Sequence, residues 1–383
     1  MKILTPEDAS IAADTAYRII DNTDVARAFY DSEIKNKFVL TDDTRFEGIA
    51  GASVFRYKSG FGVMATGKDE HQGQALLAIR GTESIPRDLF LTDLNIGLQP
   101  SSTNMWVHAG FNKVFESFKK DILRFCDKHN PTTVHCVGHS LGGGLATMAA
   151  DFLRHENIAQ PVLYTFGSPR VGGEQFAQRL TENIGEANIF RVYHKSDIVS
   201  MVPLWPFMHV PQPGTECFIE SPGIPWITYH AMDKYVGACS GKKDWDLLRR
   251  KEPSINWNAE VERWLSSSNP VSFTYHSMVM INKATLFILK KIMHSTLIVA
   301  QAYLSNGLTF LDVLAMMLHK GLQMSVEVSG YVIGLMRRIL SMLNSTVRVV
   351  GDITVQFIRW VFMQLIQSVY RLANMAFDMV YRR

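Results

Sequence analysis

A five-residue segment restricts the fold of this chain more than any other feature. Gly138-His139-Ser140-Leu141-Gly142 joins an apolar stretch typical of a strand to a stretch rich in Gly and Ala that is typical of a closely packed helix. The turn at Ser140 is too tight for a neighbouring Cβ, so Gly138 and Gly142 are both needed. It lifts the hydroxyl above a sheet. We predict that Ser140 is a nucleophile and that His139 is a structural residue of the turn.

Strands alternate with helices over most of the chain, which predicts an α/β fold with a mostly parallel central sheet. Strands are predicted at residues 53–56, 62–65, 75–79, 133–137, 162–166 and 188–193, and helices at residues 6–20, 111–129, 141–155, 174–184 and 257–265. Residues 203–225 are dense in proline and aromatic residues, and we expect an irregular loop there.

The partners of a serine nucleophile in such a fold follow in the order acid, then histidine. Asp197 comes directly after a predicted strand, where a residue at the carboxyl edge of the sheet belongs. We favour His230 as the base, with His209 as the alternative, while His194 points away from the strand just before the acid. The base must be a neutral imidazole whose tautomer a carboxylate fixes. The amide of Leu141 can donate a hydrogen bond to a developing oxyanion.

Several further motifs resemble those of the class 3 lipase family, the α/β-hydrolases of the fungal triacylglycerol lipase type. The motifs are Ala78-Ile79-Arg80-Gly81-Thr82, Trp106-Val107-His108-Ala109-Gly110-Phe111, Val137 to Gly143, Thr165 to Gly172, Asp197-Ile198-Val199 and His230 to Tyr235. The resemblance implies an α/β-hydrolase fold and an ester-hydrolysing site. It implies Thr82 as an oxyanion-hole residue, and Asp197 and His230 as the acid and base.

The segment after Thr82 has the apolar spacing of an amphipathic helix, and the resemblance implies a mobile lid there. The lid candidates are Ile85, Leu89, Phe90 and Leu94. Such a segment can cover the nucleophile in water and turn its apolar face to lipid. The alternative is a fixed helix packed on the core. A moving lid predicts a jump in the rate of ester hydrolysis when the substrate aggregates.

The composition changes completely near residue 270. All 14 prolines lie at or before Pro270 and all 4 cysteines at or before Cys239, whereas basic residues outnumber acidic ones after Pro270. We therefore predict a lipase-like domain at residues 1–265, a linker at residues 266–270 and an all-α, apolar and basic region at residues 271–383.

The carboxyl-terminal region has three interpretations. It could be a helical bundle packed on itself or on the lipase-like domain, a basic amphipathic surface that inserts into anionic bilayers, or a membrane-spanning region. Helices are predicted around residues 278–304 and 308–343. A polar stripe from Arg348 through Asp352, Gln356, Arg359 and Arg371 to Arg382 recurs at helical spacing. Residues 292–311 are a poor spanning segment because they contain His294, Gln301 and Asn306.

These features together predict a lipid carboxyl ester hydrolase that needs no metal or cofactor, with phospholipid favoured over triacylglycerol or short-chain esters. Partners would be lipid and a membrane surface, not nucleic acid. The alternative class is a membrane-active or protein-binding module in which hydrolysis is secondary. The amino end lacks the pattern of a secretory signal. Because disulfides are typical of secreted proteins, we expect the cysteines to be free thiols. The hypotheses for its location are peripheral membrane association and non-classical export, for example as a type VI secretion lipase effector with an inhibitory or secretion partner protein.

Overall fold

The computed structural model describes residues 1–18, 29, 33–50, 57–81, 97–250, 255–292, 309–349 and 351–381. Thr82, the four lid candidates and the strand expected at residues 53–56 lie outside these residues.

Between Trp106 and His194 helices alternate with strands, as the sequence predicts. The helices are α1 Pro6–Arg18, α2 Ala109–His129, α3 Leu141–His155, α4 Glu174–Ile184 and α5 Met232–Cys239. The strands are β1 Phe38–Ala50, β2 Tyr57–Gly67, β3 Gln74–Ile79, β4 Leu98–Pro100, β5 Trp106–His108, β6 Thr133–His139, β7 Gln160–Phe166, β8 Gly172–Gly173, β9 Ile189–His194, β10 Phe207–Met208, β11 Glu216–Ile219 and β12 Arg249–Arg250.

Within the described residues the main sheet has eight strands in the order β1-β2-β3-β6-β7-β9-β11-β12. Strands β3, β6, β7, β9 and β11 run parallel, while the two strands at one edge and β12 at the other are antiparallel to their neighbours. A small antiparallel sheet, β10-β8-β5-β4, lies apart from it. This is the α/β-hydrolase arrangement, with a mostly parallel central sheet that brings the carboxyl ends of β6 and β9 to the same edge.

The apolar residues of the main sheet divide between two cores. One core combines α1, α5 and residues such as Tyr164 and Phe190. The other combines α2, α3 and α4 with the helices of the carboxyl-terminal region. The second of these two cores is therefore continuous between the α/β body and the later helices.

In the part of the chain that the structure describes, five helices follow the sheet: α6 Trp257–Ser266, α7 Tyr275–Ile292, α8 Phe310–Leu322, α9 Val326–Met342 and α10 Val355–Tyr381. They pack on one another and on the α/β body, as the first of the three interpretations proposes. Helix α6 packs against α7 and α9, so it joins the later helices although the sequence places it before the linker. No described helix is both long and apolar enough to cross a membrane.

The predicted linker at residues 266–270 is held in place by contacts with helix α9. The guanidinium of Arg338 on α9 donates to the carbonyl oxygen of Asn269, at 2.6 Å, and its face lies over the ring of Trp264 on α6. The amide of Val271 donates to the hydroxyl of Ser341 at 3.0 Å. The division of the chain at residues 266–270 stays a prediction, and these contacts fix the position of the segment.

Three expectations about secondary structure are wrong. Residues 203–225 are not wholly irregular, because Glu216–Ile219 pairs with β9 as a parallel strand of the main sheet. The stretch 308–343 is broken at Gln323 to Ser325, where the Ser325 hydroxyl caps α9. The polar stripe does not form one helix, because α10 starts only at Val355, after Arg348, Asp352 and a left-handed Gly351 with φ of 72°.

Candidate active site

The nucleophile sits on a strained turn between β6 and α3. Ser140 has φ of 59° and ψ of −133°, a backbone conformation that L-residues rarely adopt. A Cβ on Gly138 would lie 2.2 Å from the carbonyl oxygen of Gly142, and a Cβ on Gly142 would lie 2.2 Å from that of Ile79. Both flanking glycines are therefore required by backbone contacts, as the sequence predicts.

The structure brings Ser140, His230 and Asp197 together in one hydrogen-bonded chain. The Oγ of Ser140 lies 2.8 Å from Nε2 of His230, and Nδ1 of His230 lies 2.9 Å from Oδ2 of Asp197. The side chains of all three are fully buried. A neutral His230 that donates from Nδ1 to the carboxylate can accept the Ser140 proton at Nε2, which is the geometry that activates a serine hydroxyl.

Asp197 is held as a carboxylate although it is buried. Burial alone would raise the pKa of Asp197, but the nearby His230 and the hydrogen bonds from His230 and Tyr235 outweigh it and hold the pKa below its ordinary value. The hydroxyl of Tyr235 donates to Oδ2 at 2.6 Å, and the amide of Val199 donates to Oδ1 at 2.9 Å. Together with His230, these donors fix the position of both carboxylate oxygens.

The His230 ring is enclosed by two aromatic neighbours. His139 stacks on it with a centroid distance of 4.7 Å, and Phe377 of α10 meets it in a T-shaped contact with a centroid distance of 5.6 Å. Nε2 of His139 lies 2.8 Å from the backbone carbonyl oxygen of His230, and its Nδ1 lies 2.8 Å from the hydroxyl of Tyr17 on α1. Burial lowers the pKa of His139 to about 3, so the ring is neutral at ordinary pH. His139 is thus a structural residue of the turn, and it links α1 to the backbone of His230.

Residues 76–207 match the family model described as Lipase (class 3). Over this segment the chain is similar to class 3 lipases. A secreted mono- and diacylglycerol lipase 1 of Fusarium solani is 32% identical over 168 residues, which cover 42% of this chain and 49% of that protein. A phospholipase A1-II 1 of Oryza sativa subsp. indica is 29% identical over 221 residues, which cover 48% of this chain and 54% of that protein.

The chain spans about half the length of the curated relatives it matches. Among solved structures, a mono- and diacylglycerol lipase from Aspergillus oryzae is similar with a TM-score of 0.42 and 18% identity, covering 66% of this chain and 86% of that chain.

The other candidates for the base lie away from Ser140. Nε2 of His209 is 2.7 Å from the backbone carbonyl oxygen of Ser200, and burial lowers its pKa well below the ordinary value. His194 is buried at the end of β9, with its ring beside Tyr229 and Tyr235. Leu141 is the first residue of α3, so its amide lies at the amino end of that helix next to Ser140, as predicted. No group of three or more potential metal ligands occurs among the described residues.

Two residues that support the triad were not assigned a role from the sequence. Gly167 has φ of 53°, and a Cβ there would lie 2.4 Å from Oδ2 of Asp197 and 3.2 Å from Nδ1 of His230. Tyr235 supplies the second hydrogen bond to the same oxygen. Both belong to motifs of the class 3 lipases that the sequence contains, so the motifs were the available signal. Tyr17 and Phe377 belong to none of these motifs.

Proposed function

We propose that this protein is a lipase that hydrolyses carboxyl esters of lipids at a membrane surface, and that phospholipids are among its substrates. The observation that carries the proposal is the hydrogen-bonded chain from Ser140 through His230 to Asp197. These hydrogen bonds fit ester hydrolysis through an acyl-enzyme, and the relatives include a mono- and diacylglycerol lipase and a phospholipase A1.

In this mechanism Oγ of Ser140 attacks the ester carbonyl carbon while Nε2 of His230 takes the hydroxyl proton. Asp197 stabilises the resulting imidazolium, and the amide of Leu141 donates to the oxyanion together with Thr82. His230 then returns the proton to the departing alcohol oxygen, which leaves the acyl group on Ser140. Water repeats the sequence on the acyl-enzyme and releases a fatty acid.

The preference for phospholipid rests on the surface of the later helices. Lys320, Arg337, Arg348 and Arg371 are exposed there, and so are apolar side chains such as Met324 and Val326. Exposed cations together with apolar side chains favour a surface of anionic lipid.

Lipid analysis of mixed vesicles tests the proposal. Vesicles containing phosphatidylglycerol, phosphatidylcholine and diacylglycerol are incubated with the wild type and with Ser140→Ala, and the products are quantified by mass spectrometry. We expect lysophospholipid and fatty acid only with the wild type. Equal product levels for both proteins would refute the role of Ser140, and fatty acid from diacylglycerol alone would refute the phospholipid preference.

The exported-effector hypothesis and the alternative of a membrane-active module stay predictions. If Ser140→Ala keeps the full biological effect of the protein on target cells, the membrane-active module replaces hydrolysis as its function. A gene neighbourhood without secretion-system or immunity genes would contradict the effector hypothesis.

A further inference from the structure

The catalytic site in this structure is closed, and part of the cover is a helix outside the family-matched segment. Ser140, His230 and Asp197 have no solvent exposure, so an ester cannot reach the Ser140 oxygen in this state. The carboxyl-terminal half of α10 lies against the turn Ile227–His230, and Phe377 contacts the His230 ring. A substrate can reach the triad only after part of this cover moves.

One cavity between α10, the neighbouring helices and the α/β body is too small for a lipid. It has a volume of about 20 Å³ and is lined among others by Leu204, Trp205, Phe362, Ile366 and Tyr370. This volume is enough for about one water molecule and far below that of an acyl chain. The apolar walls suit an acyl chain, but only in a state in which α10 has moved.

The two faces of α10 differ strongly. The inner face buries large apolar side chains, namely Ile358, Val361, Phe362, Leu365, Val369 and Phe377. The outer face exposes Gln356, Trp360, Gln367, Arg371 and Met375. An amphipathic helix with a wide apolar face and a polar face that carries a cation is the kind of element that lies in a lipid–water interface.

The inner face also contains polar atoms that the closed state does not satisfy. The hydroxyl of Tyr370 and Oδ1 of Asn374, one turn apart, are buried without a hydrogen-bond partner within the described part of the chain. Buried polar atoms of this kind weaken an interface compared with fully paired ones. At a lipid–water interface both groups would reach water or lipid headgroups.

We propose that α10 has two alternative positions, one closing the triad in water and one with its inner face bound to a lipid surface. The inference rests on the proposed function, since it concerns access to the same serine. Lipid binds only the released helix, so a bilayer shifts the equilibrium towards the open site. The helix is therefore both the lipid-binding surface and the part of the cover that contacts the catalytic base.

Release of α10 is measured without catalysis in a Ser140→Ala background. Ala376 is buried beside Phe377, and Gln367 is exposed on the outer face. The native Cys126, Cys136, Cys217 and Cys239 are all buried, and burial raises the pKa of each thiol, so they react slowly with alkylating reagents. A cysteine introduced at either position on α10 therefore reports its own exposure.

We expect Ser140→Ala/Ala376→Cys to be alkylated by a bilayer-soluble maleimide about tenfold faster with vesicles of phosphatidylglycerol and phosphatidylcholine than in buffer, because the released inner face meets this reagent in the lipid. The matched control Ser140→Ala/Gln367→Cys should react rapidly in buffer and gain no rate from vesicles. An unchanged rate for Ala376→Cys with bound vesicles would overturn the proposal. Faster alkylation of Ala376→Cys together with no lipid hydrolysis by the wild type would instead refute the proposed function and leave the movement of α10 supported.

A second measurement uses the wild-type serine. A water-soluble fluorophosphonate forms a bond from Ser140 Oγ to phosphorus as fluoride leaves and His230 takes the proton. We expect Phe377→Ala to be labelled about tenfold faster than the wild type in buffer, because the closed position loses its contact with His230. Met375→Ala, which alters the exposed face of the same helix turn, should be labelled at the wild-type rate. Equal labelling of Phe377→Ala and the wild type, with thermal unfolding still cooperative, would contradict closure by α10.

Discussion

The α/β body and the helix that covers its site are built from different interactions. Around Asp197, the short distances to His230 and Tyr235 follow from hydrogen bonds and from a glycine that permits close approach. Along the inner face of α10, contacts are apolar, and two buried polar atoms have no partner in the described part of the chain. Hydrogen bonds specify one geometry, whereas apolar contacts are non-directional and can be exchanged for lipid. Substitutions should therefore change chemistry in the first region and the opening equilibrium in the second.

The largest effect is expected at Gly167. A Cβ in Gly167→Ala would lie 2.4 Å from Oδ2 of Asp197, and the left-handed φ of 53° adds strain, so the carboxylate must shift away from His230. A displacement of about 1 Å at a catalytic group costs about a hundredfold in rate. We expect kcat for a soluble ester to fall at least about a hundredfold.

Gly237→Ala on α5 is the matched control, since a Cβ there would meet no described atom within 4 Å. It should keep the wild-type kcat. If both variants keep full activity, the fixed geometry that we assign to the α/β body is wrong.

Buried histidines should make the stability of the α/β body depend on pH. Burial lowers the pKa of His108 to about 4, of His135 to about 3 and of His139 to about 3, all below the value of an unfolded chain. As the pH falls from about 6.5 towards 4, the unfolded state therefore binds protons that the native state does not. The free energy of unfolding decreases by up to about 1.4 kcal/mol per pH unit for each such histidine.

Urea denaturation between pH 7 and pH 4.5 measures this slope. His139→Asn removes one of these histidines. The decrease in the free energy of unfolding per pH unit should therefore be smaller by the contribution of one histidine. An unfolding free energy that stays constant over this range would show that the three histidines are accessible to protons in the native state.

The helical region offers a pair of glycines that tests how tightly it is packed. In Gly334→Ala the Cβ would lie 2.5 Å from the carbonyl oxygen of Leu265 on α6, whereas at Gly330 no described atom lies within 4 Å. We expect Gly334→Ala to lower the free energy of unfolding by about 1–3 kcal/mol and Gly330→Ala to raise it by up to about 1 kcal/mol. Thermal and urea unfolding of both variants check this. A Gly334→Ala variant as stable as the wild type would show that α6 and α9 can separate freely.

The smallest effect concerns the second hydrogen bond to Asp197. Tyr235→Phe removes the hydroxyl that donates at 2.6 Å but keeps the ring in place. Loss of one hydrogen bond to a charged group corresponds to about 1.5–3 kcal/mol, and the amide of Val199 retains part of the support. We expect kcat to fall about tenfold with little change in KM. Because Tyr235 positions Asp197, the acid limb of the pH–rate profile should also move to higher pH, which a purely structural role would not cause.

The elements around the nucleophile could be predicted because their signals are local. The bounds of α3 and α4 agree with the predicted helices at residues 141–155 and 174–184, since apolar periodicity and the flanking glycines mark both. Strand β11 was missed because its strand character comes from pairing with β9 across the sheet, and the prolines around it indicate a loop. The contact of Phe377 with His230 joins residues that are far apart in the sequence, and no local pattern marks it.

The hydrogen bonds of His139 show that the segment matched by the family model and the unit that folds together have different boundaries. The family match covers residues 76–207, yet Tyr17, His230 and Tyr235 all lie outside it. The segment that the family model matches is therefore smaller than the part of the chain that must fold together. A chain cut at residues 76 and 207 would keep the nucleophile and the acid and would lose the base, together with the tyrosine that anchors the turn beneath it.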